Sequence, residues 1–189
     1  MSYRSTSNRA HKPGERRQPP PLDAARLNEL ALGYLARFAT SAAKLEAYLR
    51  RKLRERGWDG EGEPPVAALV ERCIAAGYVD DALYARSKAG SLLRRGYGAR
   101  RIDQSLSAAG IAPDLRDAVR GTMAEQRHAA LALARKRRLG PFGPPAADRP
   151  AREKQVAVLL RAGHRLDIAR QVVEAADPAW LEAWAKEED

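Results

Sequence analysis

"SLLRRGYGARRIDQSLSAAGI", residues 91–111, decides the fold, because it is either a phosphate-cradling loop or the joint of a helical repeat. A dinucleotide fingerprint needs G-x-G-x-x-G between a strand and a helix, whereas Gly96-Tyr97-Gly98 is followed by Ala99, Arg100 and Arg101 between two helical patterns. A Walker loop needs Gly-Lys-Ser/Thr, which the chain lacks. Ile102, Leu106 and Ala109 instead mark the apolar stripe of an amphipathic helix, so Gly96 and Gly98 end one helix and open the next.

Working outward, Gly110 has counterparts at Gly57 and Gly163, 53 residues away on each side, and each glycine follows a leucine by four residues: Leu53, Leu106 and Leu159. One turn earlier stand Leu49, Ile102 and, less well matched, Gln155 with Val156 beside it. After each glycine come paired apolar residues, Val66 and Val70, Leu115 and Val119, Ile168 and Val172. Val, Ile and Thr number 15 in all, against 58 Ala and Leu, which favours helix over strand throughout. The expectation is an all-α protein of three tandem three-helix repeats forming an elongated curved array: 22–79, 80–122 and 123–176. Gly57, Gly110 and Gly163 are read as left-handed residues after helix C-termini. A disordered, basic, proline-containing tail (1–21) precedes the repeats. An acidic segment (177–189) follows, with Asp177-Pro178 as a helix start and Trp180 and Trp184 packed as a cap on the last unit or docked on a partner.

The chain is basic, with 34 Lys and Arg against 24 Asp and Glu, and 27 of the 34 are Arg. An Arg- and Ala-rich composition also follows from genome base content, so the positions of the charges carry the functional argument. Cys73 is the only cysteine, which excludes an internal disulfide framework and a multi-cysteine zinc site; its apolar neighbours make it a buried thiol. His11, His128 and His164 lack ligand-like spacing, and no Ser, His and acid arrangement suggests a nucleophile, so neither metal, cofactor nor catalysis is expected. No signal peptide or span-length apolar run is found, which points to the cytoplasm.

Arg94 and Arg95 fall in the last turn of a helix, where the dipole favours cations. Arg100 and Arg101 fall in the first turn of the next, where it disfavours each by roughly 0.3–1 kcal/mol, with Asp103 a partial offset. An external anion is the natural reward, met by guanidinium forks and by backbone N–H groups at the helix start. Arg51, Lys52 and Arg56 form a second basic cluster, and Arg135, Lys136, Arg137 and Arg138 a third; on successive units the three could make one discontinuous stripe.

"AYLRRKLRERGW" (47–58), "CIAAGYVDDALYARS" (73–87) and residues 91–111 together resemble the RecX family of regulators of the RecA recombinase. The Leu-x-x-Lys-Leu pattern falls on Leu49, Lys52 and Leu53, Gly-Tyr-Val-Asp-Asp on Gly77 to Asp81, and Arg-x-Gly-Tyr-Gly-x-x-x-Ile on Arg94 to Ile102. "FATSAAKLEA" (38–47) is about one turn longer than the usual pattern, "GPFGPPAADRP" (140–150) is a long loop, and His164 stands where an aromatic is usual. The resemblance implies a monomeric inhibitor that lies along the groove of the RecA–DNA filament and contacts RecA and single-stranded DNA, with no chemistry of its own. A general basic helical nucleic-acid-binding module is the alternative that the charge alone supports.

Overall fold

The computed structural model describes residues 19–187, so the tail read as disordered lies outside the described residues except for its last three. Ten α-helices follow: α1 (Ala24–Leu35), α2 (Ala42–Arg56), α3 (Val66–Ala75), α4 (Asp81–Arg94), α5 (Ala99–Ser107), α6 (Pro113–Ala118), α7 (Met123–Arg137), α8 (Arg149–Arg161), α9 (Leu166–Glu174) and α10 (Pro178–Trp184). The loop between α7 and α8 contains a 3-10 turn, Gly140–Phe142. No strand occurs among the described residues, where the sole β feature is an isolated bridge between Leu22 and Trp58.

The helices form three units of three, and each unit has its own core. Leu27, Leu45, Leu49, Leu69 and Cys73 close the first, Ala85, Leu92, Ile102 and Leu106 the second, and Leu131, Leu159, Ile168 and Val172 the third. Three small cores in sequence, rather than one large one, make the array elongated. α10 adds Leu181 and Trp184 to the third core, so it caps the last unit; Trp180 stacks on Trp184 and stays half exposed.

Glycines set the helix ends as read from the sequence, with one difference. At Gly110 and Gly163 the next residue's N–H bonds back five residues, Ile111 to the Leu106 carbonyl and His164 to that of Leu159, while the glycine N–H bonds back three. This left-handed closure recurs at Gly77 and Gly96, all four with φ between +73° and +93°. Gly57 differs: its φ of 82° is joined to a ψ of 172°, an extended geometry that lets its carbonyl accept from the Leu22 N–H and so pins the chain ahead of α1. The end of α7 closes in the same left-handed way on Arg138, the one non-glycine with positive φ among the described residues, at a cost of about 1–2 kcal/mol.

The "GYVDD" stretch is explained link by link. Gly77 ends α3, Val79 is buried, the Asp80 carboxylate caps its own helix by accepting from the Leu83 N–H, and Asp81 reaches across to accept from the Ala42 N–H at the start of α2. Ser41 Oγ donates to the Ala109 carbonyl at the same junction, and Lys44 Nζ meets the Tyr84 hydroxyl at 2.8 Å. First and second units are thus joined through caps rather than a shared apolar core.

The second and third units meet at the opening stretch. The Gly98 N–H donates to the Ala162 carbonyl and the Arg100 N–H to that of Gly163. A Cβ on Gly98 would stand 2.4 Å from the Gly163 carbonyl and the His164 nitrogen, and one on Gly163 would stand 2.4 Å from the Arg101 nitrogen. The two backbones touch because neither glycine has a side chain.

Candidate functional site

All four arginines of the opening stretch are exposed, but they diverge. Arg94 lies back over Gly90 and lines a groove between α4 and α7 with Glu125 and His128. Arg95 lies over the Tyr97 ring at 5.3 Å. Arg100 faces the other way, into grooves shared with Arg120, Arg165 and Arg170. Arg101 sits where α5 crosses the Gly163 turn.

Two sequence expectations change here. Asp103 forms no ion pair with Arg100 or Arg101; its carboxylate meets Arg116 of α6 at 2.7 Å. Most of the first N–H groups of α5 are also already engaged: those of Gly98 and Arg100 donate to the third unit, and that of Arg101 to the Gly98 carbonyl. Recognition of an anion here falls mainly to side chains.

The other clusters sort by their partners. Arg51 and Lys52 both pair with Glu55, at 3.6 Å and 2.6 Å, and lie over the Tyr48 ring, while Arg56 donates to the Pro20 carbonyl. The Glu55 carboxyl is held below its ordinary range chiefly by the hydrogen bond from Lys52. Arg135 pairs with Glu182 of α10 and covers Phe142. By contrast, Arg94, Arg95, Arg100, Arg101, Lys136, Arg137 and Arg138 have no carboxylate within ion-pair distance among the described residues.

Packing places part of this set on adjoining helices. Gly96, at the end of α4, rests on the α7 backbone, where its Cβ would meet the Leu133 nitrogen at 2.9 Å. This seats the end of α4 on α7 about one turn before the 135–138 cluster, while the Arg94 side chain runs the other way, toward Glu125 and His128. The first cluster is not brought along: the first and second units touch near Ala43, and Arg51 to Arg56 lie roughly 12–20 Å farther up α2 at 1.5 Å per residue. The first cluster therefore stands apart from the basic residues of the second and third units, whose side chains face more than one way. Sequence reading missed Arg165 and Arg170, which the α8–α9 turn carries toward Arg100. Of these, Arg165 is matched by Asp167 at 2.8 Å.

His164 locks the same junction. Its Nε2 is 3.0 Å from the Gly96 carbonyl, which can only accept, so Nε2 carries the proton; Nδ1 is buried without a hydrogen-bond partner among the described residues. Burial pushes the imidazole below its ordinary pKa, with the Gly96 bond as a smaller opposing cause. The folded state thus binds fewer protons than the unfolded one. The contribution is present in full above the ordinary value of about 6.5 and is lost as pH falls below it through the folded pKa. The melting temperature is expected to drop between pH 7.5 and 5.5, and a His164→Gln variant, which can donate but does not titrate, should drop less. Equal slopes for the two proteins in thermal melts would contradict the assignment.

Residues 80–119, which span α4 to α6, match the family model described as RecX, second three-helix domain. Over 171 residues the chain is 33% identical to a regulatory protein RecX of Myxococcus xanthus, covering 84% of this chain and 90% of that one. The chain belongs to the RecX family. A RecX regulatory protein of Trichlorobacter lovleyi is 33% identical over 132 residues, covering 68% of this chain and 83% of the relative. The crystal structure of RecX from Lactobacillus salivarius has the same fold, with a TM-score of 0.64 at 21% identity over 82% of this chain and 96% of that one. In this RecX family member His164, where an aromatic was expected, is buried and forms a hydrogen bond across the joint.

Proposed function

We infer that this chain binds the filament formed by the RecA recombinase on single-stranded DNA, as a monomer in the cytoplasm, and inhibits its ATPase and strand-exchange activities. The observation that carries this reading is that Arg94, Arg95, Arg100, Arg101, Lys136, Arg137 and Arg138 are exposed and lack carboxylate partners among the described residues, as do further cations of the second and third units such as Arg86, Arg161 and Arg170. Like charges gathered without internal partners cost stability in the free protein and are rewarded only by an anionic surface. Phosphates and acidic side chains of a protein–DNA filament supply both kinds of anion along a length that an elongated array can follow. No group of His, Cys, Asp and Glu suited to a metal is found among the described residues, and no helix there is long and apolar enough to cross a membrane. The function is occupancy of a surface.

The test is ATP turnover by preformed RecA filaments on single-stranded DNA as the protein is added. Turnover is expected to fall with saturating, sub-stoichiometric or near-stoichiometric dependence on the protein. Unchanged turnover, together with tight binding to bare DNA, would replace this reading with a general nucleic-acid-binding module.

A further inference from the structure

The first unit carries a feature that the basic residues of the second and third units do not use. Tyr48 of α2 stacks on Tyr34 of α1 with ring centroids 4.2 Å apart and planes 18° from parallel. Phe38, just past the end of α1, extends the row from Tyr34 at 5.1 Å with its plane tilted by 45°. At the Tyr48 end the row is closed by Arg51, with its guanidinium 5.6 Å from the ring centre. At the other end it is open. Tyr34 and Tyr48 also rest on the first core, whereas Phe38 is not among the residues packed on it and is 55% exposed.

Core packing accounts for the two tyrosines but not for Phe38. An aromatic ring left half in water at the end of a ring row loses the benefit of burial that would justify it. Its neighbour Arg37 is exposed and has no carboxylate within ion-pair distance among the described residues. An exposed ring beside an unmatched guanidinium suits a flat base and its charged phosphate on a single strand. An apolar protein ligand would be served by the ring but not by the neighbouring cation.

We propose that Phe38, at the open end of the Phe38–Tyr34–Tyr48 row, is a stacking site for an unpaired nucleic-acid base, with Arg37 holding an adjacent phosphate. The site rests on the reading above that single-stranded DNA is a partner, and deepens it by placing a base contact on the first unit, away from the arginines of the second and third units. A stacked base is recognised by its face, so the contact discriminates little among the four bases.

The experiment compares the full chain with its Phe38→Leu and Phe38→Trp variants. Binding is followed by fluorescence anisotropy with a labelled thymidine oligonucleotide and with an abasic oligonucleotide of the same length and phosphate number. The wild-type chain is expected to prefer the base-bearing strand by about tenfold. Phe38→Leu keeps an apolar side chain but no ring and should lose that preference; Phe38→Trp should keep or increase it. Because Phe38 is exposed and outside the core, both variants should fold, as circular dichroism will check. Equal affinity of the wild-type chain for the two strands overturns the proposal, as does an unchanged preference in Phe38→Leu. Loss of filament inhibition in Phe38→Leu with bare-strand binding intact also overturns it, in favour of a protein contact. Filament ATP turnover is measured separately, so the inhibitor reading and the stacking site can fail independently.

Discussion

Gly98→Ala is expected to uncouple the third unit from the second, with a loss of about 3 kcal/mol and a fall in melting temperature of roughly 6–12 °C. Gly98 has φ of −81° and ψ of 167°, a conformation alanine adopts freely, so any effect comes from space alone. The added Cβ would meet the Gly163 carbonyl and the His164 nitrogen at 2.4 Å, and those are backbone atoms that cannot swing away as a side-chain tip can. Relief requires the α8–α9 turn to retreat, and retreat stretches two backbone hydrogen bonds between the units, worth about 1 kcal/mol each.

Gly57 supplies the opposite case. Its φ of +82° with ψ of 172° is a conformation adopted almost only by glycine, but nothing lies within 4 Å of the position its Cβ would take, so Gly57→Ala pays only the conformational term of about 1–3 kcal/mol. Gly163 combines both, with φ of +93° and the Arg101 nitrogen at 2.4 Å, and Gly163→Ala should be the worst of the three. The expected order in thermal melts is Gly163, then Gly98, then Gly57. A Gly98→Ala protein no less stable than Gly57→Ala would show that the joint yields, and that the close backbone approach does not hold the units together.

These glycines also mark where sequence reading reached its limit. The 53-residue spacing of Gly57, Gly110 and Gly163 was legible because a helix end needing positive φ selects glycine locally, whatever lies beyond. The repeat, the apolar stripes and the helix type followed from the same short-range rules. Gly98 was legible as a helix start, but not as a contact with Gly163, because that contact joins residues 65 apart whose spacing follows no helical period. His164 could be seen as a departure from an aromatic position; that its ring bonds the Gly96 carbonyl could not.

The same boundary runs through the candidate site. Helix-terminal position identified the arginines, since the dipole acts over one turn. Whether each cation is already matched is a tertiary matter: Arg51 and Lys52 meet Glu55 one turn along their own helix, a pairing the i,i+3 and i,i+4 spacing could have shown, whereas Arg135 meets Glu182 from 47 residues away. Asp103 went to Arg116 for the same reason. Arg138 could be read as basic but not as left-handed, since glycine stands at the corresponding end of α4 and nothing in an arginine announces positive φ. A cation kept there in place of the easier glycine is consistent with service to a ligand.

Replacing Arg100 and Arg101 by Gln is expected to reduce affinity for the RecA filament at least tenfold while leaving the fold intact. Charge-assisted hydrogen bonds contribute roughly 1.5–3 kcal/mol each when formed, and neither side chain has an internal carboxylate partner among the described residues to lose. The Cβ of Arg101, the part of that side chain set against the Gly163 turn, is retained in Gln. In the free protein both charges oppose the dipole of α5 and Arg100 shares its groove with Arg120, Arg165 and Arg170, so the melting temperature should hold or rise slightly. The matched control, Arg51→Gln with Arg56→Gln, removes the same charge from the first unit, where both cations have partners, and should weaken inhibition less. Salt dependence then separates the two kinds of anion. If Arg94, Arg95, Arg100 and Arg101 contact single-strand phosphates, neutralising all four should flatten the log–log salt slope of binding by about 3, from roughly 0.7 per phosphate. If they meet carboxylates of the recombinase, bare-strand binding should change little while filament binding falls. Inhibition undiminished in the Arg100→Gln, Arg101→Gln protein would mean that these guanidiniums face only water.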